Sequence, residues 1–203
     1  MTVNTIAVIG ANEAGRAIAA AVALAGYSTI LEDVSSEMLD RAMLAIQKSL
    51  DEFVERGELT TEARDAATLR IHPENKIEAA IRDADLIIET VPEELEMKLE
   101  LFTIFDKFAK PGAIFASTTS TLSILDISDV TVYRERCIGL RFLHAAPGIS
   151  VIELTRTELT APDVLSACAE LALRMRSELR VNWDSAKQSA ARAALRAANI
   201  PEA

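Results

Sequence analysis

Short apolar runs alternate along the chain with longer segments whose apolar residues recur every three to four positions. A buried strand of a parallel sheet is apolar throughout, whereas a surface helix is apolar on one face only. The pattern therefore predicts strands alternating with helices. The predicted strands are Thr5–Ile9, Thr29–Leu31, Leu69–His72, Leu86–Glu89, Ala113–Ala116, Arg136–Phe142, Val151–Leu154 and Glu178–Trp183. The predicted helices between and after them are Ala14–Ala25, Lys76–Arg82, Pro92–Phe108, Pro162–Met175 and Asp184–Ala198.

A long amphipathic segment separates the second and third predicted strands. Ser35 or Ser36 can cap a helix that ends near Gly57, and a second helix begins at Thr60. The apolar residues of the first helix fall on one face, namely Met38, Leu39, Met43, Ile46, Leu50 and Phe53. We expect a helical hairpin over about residues 35–67 that stands off the sheet.

The order of elements indicates a doubly wound α/β fold with a mostly parallel sheet, because strands that alternate with helices are joined by right-handed crossovers. The chain has 203 residues, half of them hydrophobic and 4% aromatic, which suits one domain with an aliphatic core. We assign residues 1–183 to this domain, with the hairpin as an insertion, and 184–203 to one C-terminal helix.

Composition excludes several classes of function. The formal net charge is −10 and no basic run is present, so nucleic acid is a poor partner. Cys137 and Cys168 form no metal spacing or disulfide framework, and we expect buried thiols in a reducing cytoplasm, with no metal. The first apolar run is too short for a signal peptide or a membrane span, so we expect no membrane association.

The segment Gly10-Ala11-Asn12-Glu13-Ala14-Gly15 lies between the first strand and the first helix, as a dinucleotide-binding turn of a Rossmann domain does. Asn12 replaces the second glycine of that motif, which normally lets the backbone approach the pyrophosphate. We expect its side chain to enter that space and weaken NAD binding; complete loss of binding stays open. Gly10 and Gly15 are also explained by packing alone, and Asp33 by capping of the next helix.

Several motifs in order resemble the NAD-binding domain of the 3-hydroxyacyl-CoA dehydrogenase family over roughly residues 4–185. They are the glycine turn, Leu31-Glu32-Asp33, the helical hairpin, the segment from Ile88 to Leu95 with Lys98, the segment from Ala116 to Ile124, and the segment from Gly139 to Pro147. The run Ser117-Thr118-Thr119-Ser120-Thr121-Leu122-Ser123 is similar to Ser-Asn-Thr-Ser-Ser-Leu-Ser of the family. The same run would otherwise only satisfy backbone groups of a loop.

The resemblance implies hydride transfer between NAD and a 3-hydroxyacyl-CoA, and it implies roles for individual positions. Asp33 matches the acid that binds the adenosine ribose, which favours NAD over NADP. The other implied cofactor contacts are Gly10, Asn12 and Gly15 at the turn, and Glu93, Lys98 and Ser120 at the nicotinamide end. Ser120 and Glu153 match catalytic positions, and Ser49 and Arg56 of the hairpin match contacts to coenzyme A.

The chain departs from the family at the catalytic base. The family has Gly-Leu-His-Phe-Phe-Asn-Pro where this chain has Gly139-Leu140-Arg141-Phe142-Leu143-His144-Ala145. Arg141 takes the histidine position and cannot accept the hydroxyl proton near neutral pH, although it can pair with Glu153. His144 is a candidate replacement base; the alternative, which the sequence favours, is a hydrogen-bonded surface histidine.

The second departure lies at the C-terminus. Asp184-Ser185 matches the family, but Ala186-Lys187-Gln188 replaces Pro-Gly-Phe and a single helix follows where the family has several. Three hypotheses remain open: an NAD-dependent enzyme of doubtful catalytic competence, a non-catalytic nucleotide- or acyl-CoA-binding module, and a subunit completed by a partner chain or by a second copy through the C-terminal helix. For the last we expect exposed apolar surface near Trp183.

Overall fold

The computed structural model describes residues 2–143 and 151–184. His144 and the predicted C-terminal helix beyond Asp184 lie outside these residues. Eight strands are β1 Thr5–Ile9, β2 Ser28–Glu32, β3 Ile71–Glu74, β4 Leu86–Glu89, β5 Ile114–Ser117, β6 Cys137–Leu143, β7 Val151–Arg156 and β8 Glu178–Trp183. The helices described are α1 Glu13–Leu24, α2 Ser36–Glu55, α3 Thr61–Arg70, α4 Ile77–Ile81, α5 Leu95–Phe108, α6 Ile124–Ser128 and α7 Pro162–Arg174.

The strands form one sheet in the order β3-β2-β1-β4-β5-β6-β7-β8. Neighbouring strands are parallel except at the β6–β7 pair, so β7 and β8 run against the rest. The prediction of a doubly wound, mostly parallel sheet is confirmed. The carboxyl ends of β1, β2, β4, β5 and β6 therefore meet along one edge, which is where ligands bind in folds of this class.

Apolar side chains cover both faces of the sheet. On one face α1, α2 and α7 pack against strand residues such as Leu31, Ile88 and Leu154. On the other face α4, α5 and α6 pack against Ile87 and Phe115. The predicted helical hairpin is present as α2 and α3, and its apolar side chains Leu39, Ile46 and Leu50 share the core of α1.

Several predicted boundaries differ from the structure by one to three residues, and the differences at the starts of α5 and β3 have clear causes. α5 begins at Leu95 and not at Pro92, because the segment from Val91 to Glu94 forms a turn in which the Glu94 N–H donates to the Pro92 carbonyl at 2.8 Å. β3 begins at Ile71 and not at Leu69, because α3 continues to Arg70. Within the described residues, no helix is both long and apolar enough to cross a membrane.

Candidate functional site

The glycine turn joins β1 to α1 at the carboxyl edge of the sheet. Gly10 has a φ of 103°, and a side chain there would come within 2.8 Å of Thr90 Oγ1. A Cβ on Gly15 would lie 1.8 Å from the Gly10 carbonyl oxygen, so the first turn of α1 packs directly on the backbone of the turn. Both glycines are therefore required by geometry, as the predicted motif demands.

Asn12 is the N-cap of α1. Its φ of −69° and ψ of −175° are ordinary extended values, so this position does not need glycine for its backbone. Its side-chain Oδ1 accepts from the Gly15 N–H at 2.9 Å, and its Nδ2 donates to the Thr90 carbonyl at 2.5 Å. Two hydrogen bonds therefore tie the carboxamide to the turn and to the end of β4, and the expectation that it occupies pyrophosphate space and weakens NAD binding stays a prediction.

Asp33 connects the end of β2 to the glycine turn. Its Oδ2 accepts from the Ala11 N–H at 3.1 Å, and its Oδ1 accepts from the Ser35 N–H at 3.0 Å. Asp33 is not the cap of α2, because the Ser35 hydroxyl accepts from Met38 N–H in that role. The carboxylate thus lies where the resemblance puts the ribose-binding acid, between the turn and the second strand.

Glu32 precedes Asp33 and was missed as a site residue by the sequence reasoning. It is 3% exposed, and its Oε1 has no hydrogen-bond partner among the described residues. Burial, followed by the charges of Asp33, Glu74 and Glu78, raises the pKa of Glu32 to about 7. The signal available in the sequence was an acid at the last position of an otherwise apolar strand.

A buried ion pair lies at the end of β4. The Glu89 and Lys98 side chains are both fully buried, and Lys98 Nζ donates to Glu89 Oε1 at 2.8 Å and to Oε2 at 3.1 Å. Lys98 also donates to the Val91 carbonyl at 3.4 Å and lies 3.6 Å from Glu93 Oε2. The predicted contact of Lys98 with the cofactor stays a prediction, because here its ammonium holds the turn before α5.

Glu93 in turn holds the loop that follows β5. Its Oε1 accepts from the Thr119 hydroxyl at 2.7 Å, and from the backbone N–H groups of Ser120 at 2.8 Å and Thr121 at 2.9 Å. Burial alone would raise the pKa of Glu93, but the hydrogen bonds from Thr119, Ser120 and Thr121 outweigh it and lower the pKa to about 2. Glu93 is therefore ionised, and Ser120, which is exposed, is fixed at the edge of the sheet.

Arg141 and Glu153 face each other across the antiparallel pair of β6 and β7. Arg141 Nη1 lies 3.2 Å from Glu153 Oε2, so the predicted ion pair is present. The register of β5 with β6 sets Ser117 opposite Gly139, which puts Arg141 two residues further along, beside the loop that carries Ser120. This position holds a permanently charged donor instead of a base.

Arg180 on β8 was not singled out by the sequence reasoning. The strand register places it directly beside Glu153, on the opposite side from Arg141. Arg180 also forms an ion pair with Glu178 at 2.8 Å. The sequence could not show that arginines lie on both sides of Glu153, because this depends on the register of β7 and β8. Charged residues are common on edge strands, so Arg180 alone indicated no site.

Asp184 is the last described residue, and it lies beside the end of the loop that follows β5. Its Oδ2 accepts from the Ser123 hydroxyl at 2.9 Å and from the Leu125 N–H at 2.8 Å. The preceding edge strand carries exposed apolar side chains, with Trp183 64% and Val181 53% exposed, as expected near Trp183. The Arg156 guanidinium stacks on the Trp183 ring at 4.3 Å.

Ser49 and Arg56 lie in the second half of α2 and at its C-terminal cap. α2 starts beside Asp33 and has 20 residues, so it carries Arg56 about 30 Å from its own start. The Arg56 guanidinium pairs with Glu58 at 2.9 Å and lies 3.9 Å from the centre of the Phe53 ring. The assignment of Ser49 and Arg56 to coenzyme A stays a prediction. Nothing in the described structure brings them to the crevice along the carboxyl ends of the parallel strands.

Comparison with known proteins agrees with these features. The sequence model of the family "3-hydroxyacyl-CoA dehydrogenase, NAD binding domain" matches residues 5–182. A 3-hydroxybutyryl-CoA dehydrogenase of Bradyrhizobium diazoefficiens is 34% identical over 90% of this chain and 62% of its own length. A 3-hydroxyadipyl-CoA dehydrogenase of Escherichia coli is 35% identical over 85% of this chain and 36% of its own length.

Solved structures give the same result. The crystal structure of 3-hydroxybutyryl-CoA dehydrogenase from Escherichia coli superposes with a TM-score of 0.87 and 33% identity, covering 91% of this chain and 39% of the other. The chain thus spans between about a third and two thirds of the length of these relatives. The chain belongs to the 3-hydroxyacyl-CoA dehydrogenase family, and the part of it described here is that family's NAD-binding domain.

Proposed function

We propose that this chain binds NAD(H) along the carboxyl edge of the sheet, as the nucleotide-binding part of an oxidoreductase that transfers hydride between NAD and a 3-hydroxyacyl-CoA. The close contact of Gly15 with the Gly10 carbonyl carries the proposal, because it packs the first turn of α1 directly on the glycine turn and so sets the N-terminus of the helix where a pyrophosphate can bind. Asp33 supports it from the adenosine side, since its carboxylate reaches the same turn.

The acidic end of β2 favours NAD over NADP. A 2′-phosphate on the adenosine ribose would meet the Asp33 carboxylate, with the carboxyl groups of Glu32 and Glu74 nearby on β2 and β3. We assign the nicotinamide end to Glu93 and Ser120, which a hydrogen bond from the Ser120 N–H to the Glu93 carboxylate joins at 2.8 Å. Asn12 is compatible with this binding, but a pyrophosphate must compete with its carboxamide for the Gly15 N–H.

The chemical step needs a base that takes the hydroxyl proton of the 3-hydroxyacyl group as its hydride leaves for NAD. Arg141 cannot serve, because a guanidinium cannot accept a proton near neutral pH, and it is paired with Glu153. We assign the base to His144, three residues further along the chain. Ser120, which is exposed on the loop after β5, is the group assigned to the substrate oxygen.

The second candidate is a non-catalytic NAD- or acyl-CoA-binding module. The Arg141–Glu153 ion pair favours it, because a cation that cannot accept a proton takes the position of the family's histidine and pairs with the acid that would orient that histidine. A third candidate is a subunit completed by another chain or a second copy. The exposed Trp183 and Val181 on the edge strand support that proposal. A cytoplasmic location is supported by Cys137 and Cys168, which are free thiols.

Two assays separate the first two candidates. NADH is titrated by its fluorescence, and reduction of acetoacetyl-CoA by NADH is then measured for the wild type, His144→Ala and Arg141→Ala. Turnover that His144→Ala abolishes and Arg141→Ala spares supports the enzyme with a relocated base. NADH binding without turnover in any form supports the module, and absence of NADH binding contradicts the enzyme and an NAD-binding module alike.

A further inference from the structure

We propose that Glu89 is a positioning residue for the nicotinamide end of the site. It touches no ligand, and acts through Lys98 and Ser117 on the two backbone segments that line this end. The proposal rests on the proposed NAD binding and names a determinant of it. Glu89 lies at the last position of β4 and its side chain is fully buried.

The first segment that Glu89 controls is the turn before α5. Its Oε2 accepts from the Val91 N–H at 3.1 Å, and its carboxylate neutralises the fully buried ammonium of Lys98. Lys98 binds the Val91 carbonyl and lies next to Glu93 Oε2. Because Glu89 is the closer of the two acids that pair with the buried Lys98 ammonium, replacing it by a neutral side chain should loosen Lys98 from this place.

The second segment is the loop after β5. The Ser117 hydroxyl donates to Glu89 Oε1, and its oxygen accepts from the Thr119 N–H at 3.2 Å. Glu93, set by Lys98, binds the N–H groups of Ser120 and Thr121. Glu89 therefore contacts both halves of the network from a buried position, and together with Glu93 it fixes where Ser120 stands relative to the turn before α5.

The acid assigned to the adenosine ribose is held by bonds outside this network, and the bonds between the glycine turn and Thr90 use the Thr90 carbonyl and hydroxyl rather than the Glu89 carboxylate. Asp33 is held by the N–H groups of Ala11 and Ser35, and none of these bonds involves β5, its loop or α5. Loss of the Glu89 charge should consequently weaken the hold on nicotinamide and leave the hold on adenosine intact. Loss of general folding would weaken both together.

The experiment compares two ligands and one probe of the loop. Titrations of NADH and of ADP-ribose, which lacks the nicotinamide, are run on the wild type, Glu89→Gln and a control, Glu37→Gln. Glu37 is a glutamate paired with Arg41 whose side chain is 74% exposed. Hydrogen–deuterium exchange of residues 117–123 is measured on the same proteins without ligand.

Glu89→Gln is expected to lower NADH affinity about tenfold, the scale of a misplaced binding group, and to change ADP-ribose affinity by less than about twofold. Glu89→Gln should also speed amide exchange in the loop after β5. Glu37→Gln is expected to leave both the NADH affinity and the exchange rate unchanged. Equal losses for the two ligands, or unchanged NADH affinity with unchanged exchange, would overturn the positioning role.

The test still decides if the Glu89→Gln variant does not fold or if the wild type binds neither ligand. Should Glu89→Gln not fold, the double variant Glu89→Gln/Lys98→Met removes both buried charges and is expected to show the same ligand selectivity and faster exchange. Should the wild type bind neither ligand, the proposed function fails, whereas the exchange measurement still decides whether Glu89 holds the loop: faster exchange supports that role and unchanged exchange contradicts it.

Discussion

Arg141 Nη1 lies 3.2 Å from Glu153 Oε2 across the β6–β7 pair, at the place where the family has its catalytic histidine and the acid that orients it. Residues 141 and 153 are paired across the two strands, but position 141 holds a cation and not a base. Glu153 would orient a histidine at position 141 equally well, because the backbone register of the pair is regular on both sides.

Arg141→His is therefore expected to raise acetoacetyl-CoA reduction by NADH. General acid–base catalysis contributes about a hundredfold or more, so a rise of at least about tenfold is predicted even with imperfect placement. Arg141→Gln, which removes the charge without adding a base, is the matched control. A histidine variant no faster than the glutamine variant would show that residue 141 has no access to the reacting oxygen.

Asn12→Gly tests the cost of the altered glycine motif. The substitution frees the Gly15 N–H and the space beside it for the pyrophosphate, so NADH affinity should rise, by about tenfold for one charge-assisted hydrogen bond gained. The free energy of unfolding should fall by no more than about 1 kcal/mol, since glycine is an acceptable N-cap. An affinity that falls instead would show that the Asn12 amide itself contributes to binding.

Gly15→Ala tests the packing of α1 on the turn. A Cβ there would lie 1.8 Å from the Gly10 carbonyl oxygen, so the helix must shift, at a cost of about 3 kcal/mol in the free energy of unfolding. Gly26→Ala is the control, because its φ of 94° is unfavourable but no atom lies within 4 Å of the new Cβ. Urea denaturation should show a clearly larger loss for Gly15→Ala, and equal losses would contradict the close contact.

Glu32 makes stability depend on pH. Its pKa is raised from 4.5 to about 7 in the folded chain, so between these values the folded chain keeps a proton that the unfolded chain releases. The destabilisation is absent below pH 4.5, grows as the pH rises and is complete above about pH 7, where it amounts to about 3 kcal/mol.

Glu32→Gln should therefore raise the midpoint of thermal unfolding at pH 8 and change it little at pH 4.5. Glu74→Gln, on the neighbouring strand, serves as a comparison, because removing one nearby charge should give a smaller rise in the same direction. A glutamine variant that is equally or less stable than the wild type at pH 8 would mean that the buried carboxyl has a partner in solution.

The sheet and its ligand-binding edge were predictable because periodicity identifies buried strands and short connections restrict their order. Strand ends moved by one to two residues, and the start of α5 by three, where side-chain networks rather than propensity decide the boundary. Pro92 illustrates this, because a proline suits the first turn of a helix and would favour a start at that residue. The contact of Glu93 with Lys98 instead keeps the residues from Pro92 to Glu94 outside α5, which begins at Leu95.

The sequence named most of the candidate site residues, but it did not predict the hydrogen bonds and ion pairs that these residues make. The motif named Asn12, Asp33 and Lys98, yet it could not indicate that Asn12 caps α1 or that Lys98 is fully buried against Glu89. Such facts depend on side-chain rotamers and on contacts between residues far apart in sequence, such as Asn12 with Thr90. Glu32 and Arg180 were missed for the same reason.

Nucleotide binding by the altered turn is decided most directly by fluorescence titration of NADH and NADPH into the wild-type chain and Asp33→Ala. The wild type is expected to bind NADH in the micromolar range and NADPH at least about tenfold more weakly, because a 2′-phosphate faces the Asp33 carboxylate. Asp33→Ala should weaken NADH and remove most of this preference. A wild type that binds neither nucleotide, or a preference that Asp33→Ala leaves unchanged, would contradict NAD binding at this turn.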